Sequence, residues 1–223
     1  MISTSSFEES SVSVAVPAMF CSHLERGLHA AAQPLTILLA SLGKGYTDPM
    51  STAELRELTA SSAVQVQRVC SLFSCLQQLV IAESIPPQLS STPIQPLLTH
   101  VADGVNLMFE KDGMSFNPVV PDKCRPVLIN RPRTHQALMS VLLIAHLLSK
   151  TRDTIEFVAA SSAEALQIIV RNANSFVDQL DTETSLSMAL AEANIRSQRG
   201  NLSWSLQPFN VQIELQEAPA PHS

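Results

Sequence analysis

The amino-acid sequence predicts an α+β fold in two parts, an N-terminal helical hairpin followed by an α/β sandwich. Apolar residues recur in alternating steps of four and three from Leu24 to Leu42, and a second such seam from Leu55 to Val80 is interrupted by polar Ser61-Ser62, which is the spacing of helices packed along a seam. After a Pro- and Ser-containing linker at residues 85–93, short strand-like segments alternate with helical ones. With 223 residues, the chain is long enough for two modest domains.

Two seams separated by a turn predict the hairpin domain, residues 17–88, after a Ser-rich flexible leader at residues 1–16. The first helix runs to about Leu42, and segment 43–49, with two glycines and a proline, is expected to end it. Ser51 and Glu54 form a capping-box pattern that opens the second helix, which should end near Pro86. The seam residues are Leu24, Leu28, Ala31, Leu35, Leu38 and Leu42 on the first helix and Leu55, Leu58, Val66, Val69, Phe73, Leu76 and Val80 on the second. Because two helices alone offer a thin core, we expect a homodimeric four-helix bundle.

Residues 92–217 are predicted to form the second domain, with helices on one face of a mixed sheet. The predicted helices cover about residues 94–109, 132–150 and 184–199. The predicted strands cover residues 114–120, 125–129, 154–160, 165–171, 201–207 and 210–216.

Composition excludes several function classes. The formal net charge of −6 and the lack of a Lys/Arg cluster argue against nucleic acid as a partner. No apolar run reaches the roughly 18 residues of a membrane span, and the first residues are polar and acidic, so we expect no membrane association and a cytoplasmic location. The four cysteines lack the two-residue spacing of zinc or dithiol sites, so neither a metal site nor a disulfide is expected.

His29 and Pro34 stand out in the first helix, because neither residue favours a plain helix. His29 lies one position beyond the seam residue Leu28, so its ring should emerge at the edge of the bundle, on a face shared with Arg26, Gln33 and Thr36. Pro34 cannot donate to the carbonyl of Ala30 and should bend the helix at a cost of about 3 kcal/mol. An exposed neutral imidazole can act as a nucleophile in reversible phosphoryl transfer. The alternative is an ordinary surface histidine.

The pattern of His29, Gln33, Pro34 and Leu35 on the first helix of a hairpin, followed by an α+β domain, resembles the dimerisation and phosphotransfer region of sensor histidine kinases. The resemblance implies that His29 is the phosphoacceptor and that Gln33 helps to position an attacking water or the partner's acyl phosphate. It departs from the family at Ala30, where an acidic residue usually activates the histidine for attack on ATP. This departure counts against autokinase activity.

The second domain resembles the kinase ATP-binding domain, but without its nucleotide ligands. A serine and an isoleucine occupy the positions of two asparagines in the family. Asparagines occupy the positions of the Asp-x-Gly motif that reads adenine, and serines occupy the positions of the glycines that cover the phosphates. The positions concerned are Ser140, Ile144, Asn172, Asn174, Ser185 and Ser187. Since isoleucine cannot coordinate Mg²⁺, which demands oxygen ligands, we expect a degenerate domain that binds no cofactor.

These resemblances imply a histidine phosphotransferase that relays a phosphoryl group between the aspartates of response-regulator receiver domains, with Mg²⁺ supplied by the receiver. One alternative is a kinase-like scaffold that binds a receiver or kinase without transfer, since Ala30 suggests that His29 has lost its function. A residual ATP-dependent kinase is a weaker alternative.

Overall fold

The computed structural model describes residues 18–47, 50–162, 165–175 and 177–219, so the predicted leader lies outside the described residues. The helices are α1 (Ala18–Thr47), α2 (Thr52–Ser84), α3 (Gln95–Lys111), α4 (Arg131–Leu147) and α5 (Thr182–Arg196). The strands are β1 (Ser90–Thr92), β2 (Ser115–Val119), β3 (Val127–Ile129), β4 (Thr154–Ser161), β5 (Ala165–Asn172), β6 (Asn201–Leu206) and β7 (Phe209–Gln216). The predicted α+β architecture, a helical hairpin and then a sandwich, is confirmed.

Helix α1 continues past the two glycines that were expected to end it. It runs through Gly43 and Gly45 to Thr47, two residues before Pro49. A glycine costs a helix only about 1 kcal/mol, and packing can offset that cost. Gly45 lies so close to α2 that an added Cβ would come within 2.6 Å of Leu58 Cδ2. The glycine therefore permits close helix packing here instead of a stop.

Helix α2 begins at the predicted capping box. The Ser51 hydroxyl accepts a hydrogen bond from the Glu54 amide at 3.3 Å, and the Glu54 carboxylate accepts one from the Ser51 amide at 2.7 Å. These two bonds favour the ionised carboxylate and hold the pKa of Glu54 below its ordinary value. The helix ends at Ser84, just before the Pro86-Pro87 pair.

The second domain is built on a five-stranded mixed sheet of order β2-β4-β5-β7-β6, in which only the β2–β4 pair is parallel. Phe157, Val170 and Val211 lie opposite one another on β4, β5 and β7 and all point into the core. Helices α3, α4 and α5 contribute to the same core, with Phe109, Leu138 and Ile195 fully buried. Strands β1 and β3 form a separate antiparallel pair. Strand β1 was not predicted, because its residues lie in the segment that was expected to be a linker.

Helix α5 belongs to two hydrophobic cores at once. Its inner face joins the sheet core through Met188, Ala191 and Ile195. Its outer face packs on the hairpin through Leu186, Leu190 and Ala193, against Leu72, Leu76, Leu79 and Ala82 of α2 and Ala31 of α1. At the junction of the three helices, an added Cβ on Gly27 would lie 2.5 Å from Leu76 Cδ2 and 3.1 Å from Leu186 Cδ1.

Polar contacts hold both ends of α5 against the hairpin. Near its first turn Glu183 pairs with Arg68 of α2, and in its last turn Arg196 pairs with Glu83. Between them, Gln136 of α4 bridges α2 and α5 through hydrogen bonds to Gln78 and Asn194. The sandwich is therefore seated on the hairpin along one side of α2.

Arg133 links the second domain to the end of α2, and its substitution tests how strongly this contact stabilises the protein. Its guanidinium donates to the Ile85 carbonyl at the end of α2 at 2.8 Å, to the Ser197 hydroxyl at 3.0 Å, and at longer range to the carbonyls of Ile81 and Ala82. We expect Arg133→Ala to lower the free energy of unfolding by about 2 to 3 kcal/mol, because it leaves helix-terminal carbonyls without a charged donor.

The control for this prediction is Arg131→Ala, which removes the same charge from an exposed position two residues earlier in α4. Urea unfolding followed by circular dichroism should show the large loss only for Arg133→Ala. Equal losses for the two variants would contradict the assigned role.

Candidate functional site

His29 is exposed on α1 and lines an open groove of about 1340 Å³. The groove runs between α1, the middle of α2 and the segment that leads into α5. Its lining comprises Ser22, Glu25, Arg26, His29, Ala30, Ala32, Gln33, Thr36 and Ile37 of α1, Arg68 of α2, and Gln179, Leu180, Asp181 and Thr182 before and at the start of α5. A partner placed in this groove would reach the imidazole from solvent.

The polar face predicted around His29 exists. Arg26, Gln33 and Thr36 all line the groove with it, as expected for residues three, four and seven positions apart on one helix. The Thr36 hydroxyl donates to the carbonyl of Ala32 at 2.9 Å, so its own hydrogen is used within the helix. Gln33 is exposed one turn after His29 and lines the same groove.

Pro34 lies elsewhere on the helix. It is buried within α1, about 140° around the helix axis from His29. The neighbouring inward residue, Ala31, packs with Leu72 and Leu76 of α2. Pro34 is thus part of the inner face of the hairpin and does not line the groove with His29 and Gln33.

The second domain supplies the far wall of the groove, which sequence reasoning missed. Asp181 Oδ1 accepts the Thr184 amide at 2.7 Å and caps α5. Glu183 pairs with Arg68. An aspartate three residues before Thr184 at the start of a helical segment is a recognisable N-cap pattern. No local pattern signals an ion pair between residues 115 positions apart.

The residues at the nucleotide positions are not gathered around one opening. Ile144 is 2% exposed and belongs to the sheet core. Ser140 and Ser187 face a shallow groove of about 460 Å³ against Ser71 and Ser74 of α2. Ser185 is half-buried in the first turn of α5, and its amide donates to the carbonyl of Asp181 at 2.9 Å.

Asn172 is fully buried, and its side chain is engaged inside the domain. The amide nitrogen donates to the Ser149 hydroxyl at 2.6 Å and to Asp153 Oδ2 at 3.0 Å. The amide oxygen accepts the backbone N–H of Asn174, itself an exposed residue, at 3.0 Å. Both functional ends of this carboxamide are therefore occupied by neighbours in the fold.

The four cysteines are free thiols, and two of them, Cys21 and Cys70, are exposed. Burial raises the pKa of Cys75, and burial together with Glu217 raises that of Cys124. Among the described residues, no three His, Cys, Asp or Glu side chains lie close enough to hold a metal ion. None of the described helices combines the length and hydropathy needed to cross a bilayer.

Comparison with known families and with curated proteins finds no match to this chain. Solved structures do match it. The histidine kinase AdeS of Acinetobacter baumannii shares 15% identity at a TM-score of 0.63, over 86% of this chain and 98% of AdeS. The histidine kinase ThkA, solved with the response regulator TrrA, gives a TM-score of 0.71 at 13% identity, over 90% of this chain and 63% of that one.

A third similar structure, full-length ShkA in complex with AMPPNP, gives a TM-score of 0.60 at 14% identity, over 89% of this chain and 47% of that one. At these identities the likeness concerns the fold: a helical hairpin followed by a domain shaped like a histidine-kinase ATP-binding domain.

Proposed function

We propose that this protein is a histidine phosphotransferase of a two-component phosphorelay, which passes a phosphoryl group between receiver-domain aspartates through His29 without binding ATP. One contrast carries the proposal: His29 is exposed in an open groove, while Ile144 and Asn172, at two key nucleotide positions, are buried. The protein keeps an accessible nucleophile, while two of the residues at the nucleotide positions are enclosed in the fold.

The chemistry needs only a neutral imidazole and a correctly placed acyl phosphate. A ring nitrogen of His29 attacks the phosphorus of an aspartyl phosphate, an N–P bond forms as the P–O bond to the aspartate breaks, and the aspartate leaves as a carboxylate. The other ring nitrogen keeps its proton, and the reverse step on a second receiver regenerates free His29. Mg²⁺ held by the receiver would neutralise charge on the phosphoryl oxygens.

Receiver domains are the partners that this arrangement favours. The groove is open on one side and offers a polar α1 face with His29 and Gln33. The similar kinase ThkA was solved with a response regulator, which supports the same class of partner here. The far wall formed by Gln179 and Thr182 would bring the second domain within reach of a docked receiver.

The proposal includes a homodimer, because the hairpin leaves much of its seam open in a single chain. Leu28, Leu42 and Phe73 are 55%, 52% and 47% exposed. They recur at heptad spacing with other exposed seam residues, Leu35, Val66 and Val80. A second copy of the hairpin would cover these side chains in a four-helix bundle.

A scaffold that binds a receiver or kinase without phosphoryl transfer is the second candidate. Ala30 is the observation that favours it, because this position offers no carboxylate to orient or activate the imidazole. Under this hypothesis the groove remains a docking surface, and His29 is only one of its contacts.

The decisive experiment is phosphoryl transfer from a panel of labelled, phosphorylated receiver domains to the purified protein, with ATP omitted. We expect acid-labile label on the wild type, because a phosphoramidate bond hydrolyses in acid, and none on His29→Ala. The matched control is His100→Ala, which removes an exposed imidazole from α3 and should leave transfer intact.

Label retained by His29→Ala would overturn the proposal. Binding of a receiver with no transfer to the wild type would favour the scaffold. Heat released on titrating millimolar Mg–ATP into the protein would support instead the residual kinase.

A further inference from the structure

Two guanidinium groups line the groove, and their surroundings differ. Arg68 is paired with Glu183, so its charge is largely matched from the far wall. Arg26 lies on α1 and is exposed, and it forms no salt bridge with any side chain in the part of the chain that the structure describes. The groove thus contains one arginine already matched by a carboxylate and one whose charge is available.

Arg26 is placed to reach a group carried by His29. The two residues are three positions apart on α1, which separates their Cβ atoms by about 5 to 6 Å on the same side of the helix. Both side chains line the same groove. A phosphoryl group on the imidazole would extend from the ring into that groove, within the span of a flexible arginine side chain.

The other charges of the groove do not supply this cation. Glu25 lies four residues before His29 on the same face, and its carboxylate would repel a phosphoryl group. Asp181 is also anionic, and one of its oxygens caps α5. With Arg68 held by Glu183, Arg26 is the groove cation closest in sequence to the nucleophile.

We propose that Arg26 binds the phosphoryl group while it is carried by His29, and that it offsets the repulsion from Glu25. This inference rests on the proposed function. A guanidinium presents several N–H donors in one plane and forms short, charge-assisted bonds to phosphoryl oxygens. Arg26 contributes this interaction from the phosphotransferase side, so it acts on the phosphohistidine itself and not only on the receiver-bound phosphate.

The test uses phosphoramidate, a small donor that needs no docking. Its P–N bond breaks with release of ammonia as the bond to the imidazole forms, so the reaction reports on His29 and its immediate surroundings. The proteins compared are the wild type, Arg26→Gln, Arg26→Lys and Glu25→Gln, the last removing the opposite charge from the adjacent position. Each full-length variant is also assayed with a phosphorylated receiver.

We expect Arg26→Gln to slow labelling by roughly tenfold or more, since a charge-assisted bond to the phosphoryl group is lost. Arg26→Lys should recover part of the rate, and Glu25→Gln should label as fast as the wild type or faster. In ³¹P NMR titrations, Arg26→Gln should raise the pKa of the phosphoryl group on His29, because the dianion loses a neighbouring cation. A purely structural role of Arg26 would not move that pKa.

Each outcome bears on one claim. Equal labelling rates and equal phosphoryl pKa values in the wild type and Arg26→Gln would overturn the role of Arg26 and leave the phosphorelay proposal standing. Normal phosphoramidate labelling of His29 with no transfer from any receiver would overturn the phosphorelay and leave the Arg26 measurement valid. Failure of phosphoramidate to label wild-type His29 would overturn both.

Discussion

In the homodimer that we propose, aspartate at both Leu35 and Phe73 is expected to dissociate the two chains and leave a folded monomer. These side chains are 40% and 47% exposed in a single chain and belong to the predicted seam. In a symmetric bundle the two substitutions would place four carboxylates in an apolar interface. Because each charge would lose its hydration there, we expect the dimer dissociation constant to rise by about a thousandfold or more.

Sedimentation velocity over a concentration series measures this change directly. The matched control is Leu107→Asp, which puts the same charge at a leucine of α3 that is 74% exposed. It should leave the dimer unchanged. A wild-type protein that is monomeric at tens of micromolar, or a double variant that stays dimeric, would contradict the four-helix bundle. Unchanged circular dichroism of the double variant would exclude unfolding as the cause.

The second large effect is expected from Ile144→Asn, which puts back the residue that the kinase resemblance places at this position. Ile144 is buried in the sheet core, so the asparagine would lose apolar burial and bring an amide into an apolar environment. We expect the free energy of unfolding to fall by about 3 to 5 kcal/mol. The variant should also show no binding of millimolar Mg–ATP by calorimetry.

Leu143→Asn is the natural comparison, because Leu143 is the preceding residue on α4 but is 42% exposed. Leu143→Asn should lower the free energy of unfolding by less than about 1 kcal/mol, as for most surface substitutions. Similar losses in both variants would contradict the assigned burial of Ile144. Nucleotide binding by Ile144→Asn would show that a single side chain had disabled an otherwise intact site, which runs against our proposal.

Local patterns in the sequence predicted those features whose cause is local. The capping box of Ser51 and Glu54 needs only four consecutive residues, and it opens α2 as expected. Strand β7 alternates apolar and polar residues, and burial alternates along β4 and β5 as well, which is the direct consequence of one covered face. The position of His29 at the edge of the hairpin followed from its step relative to Leu28.

Features that depend on tertiary contacts were missed. Glycine at position 45 suggested a helix end. Instead, the absence of a side chain there lets Leu58 of the neighbouring helix α2 pack closely against α1. The short strand β1 has three residues and pairs with β3, which lies 35 to 39 positions away along the chain. The far wall of the groove, with the Arg68–Glu183 pair, likewise depends on how the two domains meet.

Because α5 packs against both the sheet and the hairpin, the C-terminal domain stabilises the hairpin whether or not any ligand is bound. Truncating the chain after α2 would expose apolar side chains of α2 to water, because α5 would no longer cover them. The side chains concerned are Leu72, Leu76, Leu79 and Ala82. Under the proposed phosphorelay, the helix that carries His29 therefore depends on sandwich residues that do not themselves contact the phosphoryl group. A sandwich that binds no nucleotide, as we propose, would still be required, because α1 and α2 pack against its helix α5.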